Sequence, residues 1–143
     1  MTAHHRHTLL AIVIILILLS IAAVSARAQD FSGYSGVQLY QRFCASCHGE
    51  RARGDGPVAK SFKIDVPDLT RIAKRHGGTF PADQVRKIID GRTVIPPHGS
   101  REMPVWGFEF YLQNENAGHP DPQHRTEQII QRLEDYLRSI QLP

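Results

Sequence analysis

The chain contains a Cys-x-x-Cys-His run over residues 44–48, and this run limits the possible folds more than any other feature. Two thiols three residues apart on one helical turn can reach both vinyl groups of a porphyrin and become thioethers. The adjacent imidazole is then held under the iron as an axial ligand. The run is the attachment motif of a c-type haem. It predicts thioethers at Cys44 and Cys47, a proximal iron ligand at His48, and a fold built around the cofactor.

Three other interpretations of the two cysteines remain open at this point. A thioredoxin-like redox pair is one, although no strand-rich segment precedes Cys44 as that motif requires. A zinc site is another, but the chain has only two cysteines, so His48, His76 and His98 would have to supply ligands at irregular spacing. A structural disulfide is the third, and it suits an exported protein.

The N-terminus has the layout of a secretory leader. A short polar and basic start is followed by an apolar run over residues 9–24, and then by Ala26-Arg27-Ala28. This triplet places small residues at the two positions that a signal peptidase reads. We therefore predict a signal peptide over residues 1–28 and a single small domain over residues 29–143.

An uncleaved membrane anchor is the alternative for the same segment. Residues 8–26 contain no charged side chain, and this stretch of 19 residues is long enough to cross an apolar layer. That layer is roughly 30 Å thick. Both interpretations place the folded domain outside the cytoplasm, in the periplasm, where a c-type haem is attached.

The charge of the chain gives no support for nucleic-acid binding. The formal net charge is +3, but without Arg6 and Arg27 of the leader 15 basic side chains face 14 acidic ones. Two haem propionates would bring the net charge to about −1. Basic side chains outnumber acidic ones between residues 42 and 75, which would attract an acidic redox partner. An ordinary solvated surface explains the same pattern.

Helical periodicity and capping residues predict about four helices and no strand. Ser35 and Gln38 form a capping-box pair before the first helix, Gly91 ends the third, and Asp121 with Pro122 begins the last. The approximate ranges are 36–47, 67–76, 81–90 and 121–140. Residues 92–122 are rich in proline, so we predict mostly loop there, with one helical turn near residues 108–113. The predicted class is all-α, with long loops wrapped around one haem.

A second iron ligand is predicted at Met103. It is the only methionine apart from Met1, and it lies 55 residues after His48 in the run Met-Pro-Val-Trp-Gly. A thioether is a soft, neutral ligand that favours ferrous iron and raises the reduction potential. An ordinary core methionine is the alternative interpretation, and His98 is a weaker candidate for the same ligand position.

The order of these parts resembles that of the small bacterial monohaem c-type cytochromes. The resemblance rests on the leader, the Cys-x-x-Cys-His run after a short helix, a Gly-Asp-Gly-Pro loop over residues 54–57, His98-Gly99, the Met-Pro-Val-Trp-Gly run and an amphipathic C-terminal helix. It covers nearly all of residues 33–142.

The resemblance implies one covalent haem c with His48 and Met103 as iron ligands and Cys44 and Cys47 as thioethers. It also implies that the first and last helices of the domain cross. The residues expected at this crossing are Gly36, Val37, Tyr40, Leu133, Tyr136 and Leu137.

Two further residues are expected near the haem. A proline carbonyl often accepts a hydrogen bond from the proximal histidine in this family; Pro57 and Pro67 are candidates, and Pro57 lies in the more suitable loop. Trp106 is expected to donate its indole N–H to a haem propionate or to form a wall of the pocket.

The function implied is one-electron transfer by a periplasmic carrier that is not itself an enzyme. Its partners would be oxidases, reductases or dehydrogenases, with a membrane contact only through an uncleaved leader. One alternative is a cytochrome subunit of a larger complex, which would use the aromatic segment over residues 108–119 as a contact. The other is a haem enzyme or gas-binding protein with a labile distal position.

Overall fold

The computed structural model describes residues 3–24, 30–91 and 104–143. All regular structure in these ranges is helical, which confirms the predicted all-α class. The helices are α1 (Ala3–Val24), α2 (Gly36–Phe43), α3 (Ala45–His48), α4 (Ile72–Arg75), α5 (Ala82–Asp90), α6 (Trp106–Asn116) and α7 (Pro122–Ser139). Two 3₁₀ turns cover Ala59–Ser61 and Leu69–Arg71.

Helix α1 corresponds to the apolar run of the predicted leader. Its side chains over residues 5–16 are exposed. No helix in the described ranges combines the length and the apolar character that crossing a membrane requires. Ala26-Arg27-Ala28 lies outside the described residues, so the signal peptide and the domain boundary at residue 29 stay predictions.

Helix α2 begins with the predicted capping box. The Ser35 side chain accepts a hydrogen bond from the Gln38 backbone N–H, and the Gln38 side-chain oxygen accepts one from the Ser35 N–H at 2.9 Å. The prediction of one uninterrupted helix over residues 36–47 was wrong, because Cys44 has φ −115° and separates α2 from α3. The motif therefore begins at a break between two short helices.

The crossing of α2 with α7 confirms most of the expected contacts. A side chain at Gly36 would overlap the backbone oxygen of Arg132 and approach the Tyr136 Cβ to 2.8 Å, so only glycine lets the helices meet here. The ring centroids of Tyr40 and Tyr136 lie 5.1 Å apart. Val37 was wrongly expected in this contact, since it is 45% exposed. Gly36 and Tyr40 are four residues apart and share a face, whereas Val37 is rotated about 100° away.

Helix α6 is longer than the predicted single turn. It packs along α7 and contributes the fully buried Phe110, and its Asn114 amide donates to the Thr126 hydroxyl of α7 at 3.2 Å. The proline-rich composition of residues 92–122 was misleading, because residues 105–119 contain no proline at all. A helix fits between these prolines without interruption.

A buried carboxylate joins α5 to α7. Glu134 of α7 is completely buried and accepts a hydrogen bond from the Arg86 guanidinium of α5 at 2.6 Å. Arg138 also pairs with this carboxylate, and Gln131 donates to it at 3.2 Å. These bonds fix the spacing of two helices that both line the main cavity.

Candidate functional site

A cavity of about 540 Å³ opens between α2, α5, α7 and the loop that precedes α4. Cys44, Cys47 and His48 all line it, so the structure brings the three motif side chains to one space. Its other walls are mainly apolar, and include Phe62, Ile64, Leu69, Val85, Leu133 and Leu137. A concave apolar cavity with a few polar groups at one side is the usual form of a cofactor site.

The two thiols are not bonded to each other in this fold. Burial raises the pKa of the Cys44 thiol to about 12, and the neighbouring Cys47 adds to the effect. A redox-active cysteine pair needs a lowered pKa, so this environment does not suit a thioredoxin-like site. A thioether carries no charge, so the same burial does not oppose haem attachment.

The zinc interpretation gains nothing from the described part of the chain. No three His, Cys, Asp or Glu side chains converge there in a way that would hold a metal ion. His76 lines the same cavity as the motif, but its Nδ1 lies 2.9 Å from the carbonyl oxygen of Ile72 in α4, the helix that His76 follows.

The imidazole of His48 is buried and oriented by a backbone carbonyl. His48 is only 7% exposed, and its Nδ1 lies 3.3 Å from the carbonyl oxygen of Pro67. A hydrogen bond donated from Nδ1 to this oxygen places the ring lone pair on Nε2. That is the tautomer in which an imidazole binds a metal through Nε2.

The preference for Pro57 over Pro67 was wrong. Pro57 is exposed and does not line the cavity, whereas Pro67 does. The loop around Pro57 runs back along the backbone of the motif: the Gly54 N–H donates to the His48 carbonyl at 2.8 Å, and the Gly56 N–H donates to the Cys47 carbonyl at 3.2 Å. This loop therefore supports the peptide groups of the motif, and the next loop supports the imidazole.

Met103 and His98 lie outside the described residues. The described chain resumes at Pro104, which lines the cavity together with Trp106. The Trp106 ring stacks on Phe110 at a centroid distance of 5.9 Å and contacts Phe43 at 5.2 Å. Trp106 therefore forms a wall of the cavity, while its predicted hydrogen bond to a propionate stays a prediction.

Two arginines at the cavity were missed by the sequence analysis, which counted them only as part of a basic segment. The Arg42 guanidinium lies over the rings of Phe31 and Phe43, at 5.5 and 5.7 Å from their centroids. Arg75 donates to the Asp68 carbonyl oxygen at 2.8 Å. Both line the cavity, and guanidinium groups are well suited to carboxylates. The position of Arg42 two residues before Cys44 was the only signal in the sequence.

These residues fit a haem. The cavity supplies two thiols for the vinyl groups, an imidazole whose Nδ1 faces a backbone carbonyl, an apolar enclosure and cationic groups for propionates. Among the residues that line the cavity, the buried ones are neutral and the charged ones are exposed, as an apolar cofactor with charged propionates at its edge requires.

Comparison with known proteins agrees with this geometry. The family model described as Cytochrome c matches residues 35–141. A curated relative is the Cbb3-type cytochrome c oxidase subunit CcoP of Azospirillum brasilense, 28% identical over 102 residues. The match covers 68% of this chain and 34% of the relative, so the aligned part is about a third of that subunit. No solved structure matches the chain.

The family match spans most of the chain, including the whole cavity and the motif that lines it. Proteins of this family carry a covalently bound haem c and transfer electrons through its iron. The chain belongs to the cytochrome c family.

Proposed function

We propose that this protein is a periplasmic one-electron carrier whose haem is held by Cys44 and Cys47 and ligated by His48 and Met103. The observation that carries the proposal is the convergence of both thiols and a carbonyl-oriented imidazole on one apolar cavity. The haem supplies the ferric–ferrous couple, and the chain supplies its attachment, its ligands and its surroundings.

The residues on the proximal side have opposing effects on the reduction potential. The hydrogen bond from His48 to Pro67 makes the imidazole a stronger donor, which stabilises ferric iron. The apolar walls have the opposite effect, because a medium of low polarity disfavours the additional positive charge of the ferric state. The potential depends on the balance between these two influences.

Met103 is proposed as the distal ligand because of the residue that follows it. Pro104 lines the cavity, so the chain next to Met103 reaches the space that also contains the His48 side chain. A thioether sulfur is neutral and soft, and its ligation raises the potential. Pro104 also restricts the backbone beside the ligand, which reduces the cost of ordering it.

A second candidate function is that of an electron-transfer subunit or docked donor of a cytochrome c oxidase. The relative is named as a subunit of such an oxidase, and an apolar surface lies beside the cavity wall of this chain. Val105 and Phe108 flank Trp106 in sequence and are 38% and 57% exposed. A stoichiometric oxidase that co-purifies with the tagged protein would favour this role, whereas a monomer that exchanges electrons with several proteins would favour the free carrier.

The test of the proposed ligation compares two variants made in a host that attaches c-type haem. Met103→Ala should lower the reduction potential and let carbon monoxide bind the ferrous protein, because the sixth position of the iron is then open. His98→Ala is the matched control and should leave both properties unchanged. An unchanged potential in Met103→Ala, or a lowered one in His98→Ala, would contradict the assignment.

A further inference from the structure

Tyr40 makes a hydrogen bond that the packing of its ring does not require. The ring is completely buried, lines the cavity and packs on Tyr136 where α2 crosses α7. A phenylalanine would fill this position equally well. The Tyr40 hydroxyl nevertheless donates a hydrogen bond to the carbonyl oxygen of Gly49 at 2.7 Å. A buried hydroxyl is retained at little cost only when it has such a partner.

The acceptor belongs to the residue directly after His48. Gly49 has φ +83°, and a side chain there would collide with the carboxylate of Asp55, so the chain leaves the motif in a conformation reserved for glycine. Its carbonyl oxygen also accepts from the Ala52 N–H at 3.0 Å. Tyr40 therefore anchors the first peptide group of the loop that follows the motif.

That loop supports His48 in two ways. The Gly54 N–H donates to the His48 carbonyl oxygen at 2.8 Å, which fixes the backbone of the ligand. The Ala52 carbonyl oxygen accepts from the Leu69 N–H at 2.7 Å, which ties the loop to the segment that contains Pro67. The carbonyl of Pro67 in turn lies against the His48 imidazole.

We infer that Tyr40 is a positioning residue for the proximal imidazole, acting through Gly49 and the loop that leads to Pro67. This inference rests on the proposed role of His48 as the iron ligand. The Gly49 carbonyl oxygen accepts from both the Tyr40 hydroxyl and the Ala52 N–H, and removal of the hydroxyl leaves it only the second of these bonds. The loop is then held less firmly, and the bond from His48 to Pro67 becomes longer on average.

The expected effect is on the electronic state of the ligand. A weaker hydrogen bond to Pro67 makes the imidazole a weaker donor, so ferric iron is less stabilised and the reduction potential rises. We expect Tyr40→Phe to shift the ferric–ferrous equilibrium about two- to fivefold towards the ferrous state. At 59 mV per tenfold change, this is a rise of about 20–40 mV.

Tyr136→Phe is the matched control. It removes the same atom from the other ring of the same pair, and the Tyr136 hydroxyl makes no hydrogen bond within the described part of the chain. Both holoproteins would be characterised by potentiometric titration and by the paramagnetically shifted proton resonances of the His48 ring in the ferric state. Loss of general stability alone would leave these resonances unchanged.

The inference predicts that Tyr40→Phe raises the potential and moves the His48 resonances, while Tyr136→Phe changes neither. Equal shifts in both variants, or none in Tyr40→Phe, would overturn it, since the effect would then not depend on the bond to Gly49. The wild-type spectrum distinguishes a failure of the proposed function from a failure of this inference alone. A wild-type protein without histidine-ligated haem would refute the proposed function, whereas a normal wild type with a silent Tyr40→Phe would refute only this inference.

Discussion

The Nδ1 atom of His48 lies 3.3 Å from the carbonyl oxygen of Pro67, although the two residues are 19 positions apart in the chain. A backbone carbonyl can orient an imidazole only if its own segment is held in place. The Leu69 N–H bond to Ala52 holds one side of this segment, and Asp68 caps the turn that follows it. The geometry of the His48 imidazole therefore depends on a short loop with its own hydrogen bonds.

Asp68 should stabilise this loop in a pH-dependent manner. Partial burial raises the pKa of its carboxyl group. Hydrogen bonds from the Thr70 hydroxyl and N–H, together with the charges of Arg71 and Arg75, lower the pKa by more than burial raises it, so that it lies below its usual value of 3.8. The stabilisation is therefore complete above about pH 4 and is lost as the pH falls through the lower folded-state pKa. Asp68→Ala should cost about 1 kcal/mol at neutral pH.

Urea unfolding of the oxidised holoprotein at neutral pH and at about pH 3 would check this dependence. The difference between wild type and Asp68→Ala should shrink at the lower pH. Asp68→Asn is the control, because an amide oxygen can still cap the turn, and it should cost less at neutral pH. A penalty for Asp68→Ala that is independent of pH would show that the ionised carboxylate does not contribute.

Gly36 should be irreplaceable at the crossing of α2 and α7. Gly36→Ala places a methyl group against the Arg132 carbonyl oxygen and near the Tyr136 Cβ, so the helices must separate. Overpacking of this kind costs about 1–3 kcal/mol, which exceeds the gain in helix propensity at the first turn. Denaturant unfolding measures the change. Gly33→Ala is the control, since no atom beyond its two chain neighbours lies within 4 Å of its Cβ position. Equal stability of the two variants would contradict the close contact.

The Glu134 carboxylate should contribute to stability more than its exposed neighbour Asp135. Glu134→Gln removes the charge that faces the Arg86 and Arg138 guanidinium groups. The loss of one partner from a fully buried ion pair costs about 3–5 kcal/mol. Here the arginine side chains are 38% and 51% exposed and regain water, so we expect about 1–3 kcal/mol.

Thermal or denaturant unfolding would measure this loss, with Asp135→Asn as the control. Asp135 is 55% exposed and lies 3.8 Å from Arg138, so its replacement should change stability by less than about 0.5 kcal/mol. Similar effects of the two substitutions would show that burial of Glu134 does not strengthen its interactions.

Each cysteine should contribute one thioether. Cys44→Ser and Cys47→Ser should each leave haem attached by a single bond at reduced yield, and the double variant should leave none attached. Mass spectrometry of the denatured protein, together with haem staining after denaturing electrophoresis, distinguishes these states. Normal yields of doubly attached haem in either single variant would refute the assignment of the thioethers.

Local chemistry made much of the fold predictable. Helix α7 begins at Pro122 with Asp121 as its cap, as expected from proline at a first helical position, and α5 ends at Gly91 in the left-handed conformation. The capping box of α2 is formed by the predicted pair. These features depend on residues within one turn of each other, so a sequence contains all the information needed.

Two of the errors concern relationships between distant residues. Pro57 and Pro67 have equally suitable carbonyl groups, and only the path of the loop decides which one meets His48. Val37 differs from Gly36 by one position on α2, and the orientation of the helix against α7 decides which of them is buried. No local pattern encodes such a choice. The roles of Cys44, Cys47, His48 and Met103 in holding the haem stay predictions that follow from the motif.

The most direct test of the account is the visible spectrum of the reduced wild-type holoprotein, recorded with and without carbon monoxide. The proposed ligation by His48 and Met103 leaves no open position on the iron, so the sharp bands of the reduced protein should be the same in both spectra. A spectrum that shifts on addition of carbon monoxide would contradict this closed coordination and would favour a haem enzyme or a gas-binding protein.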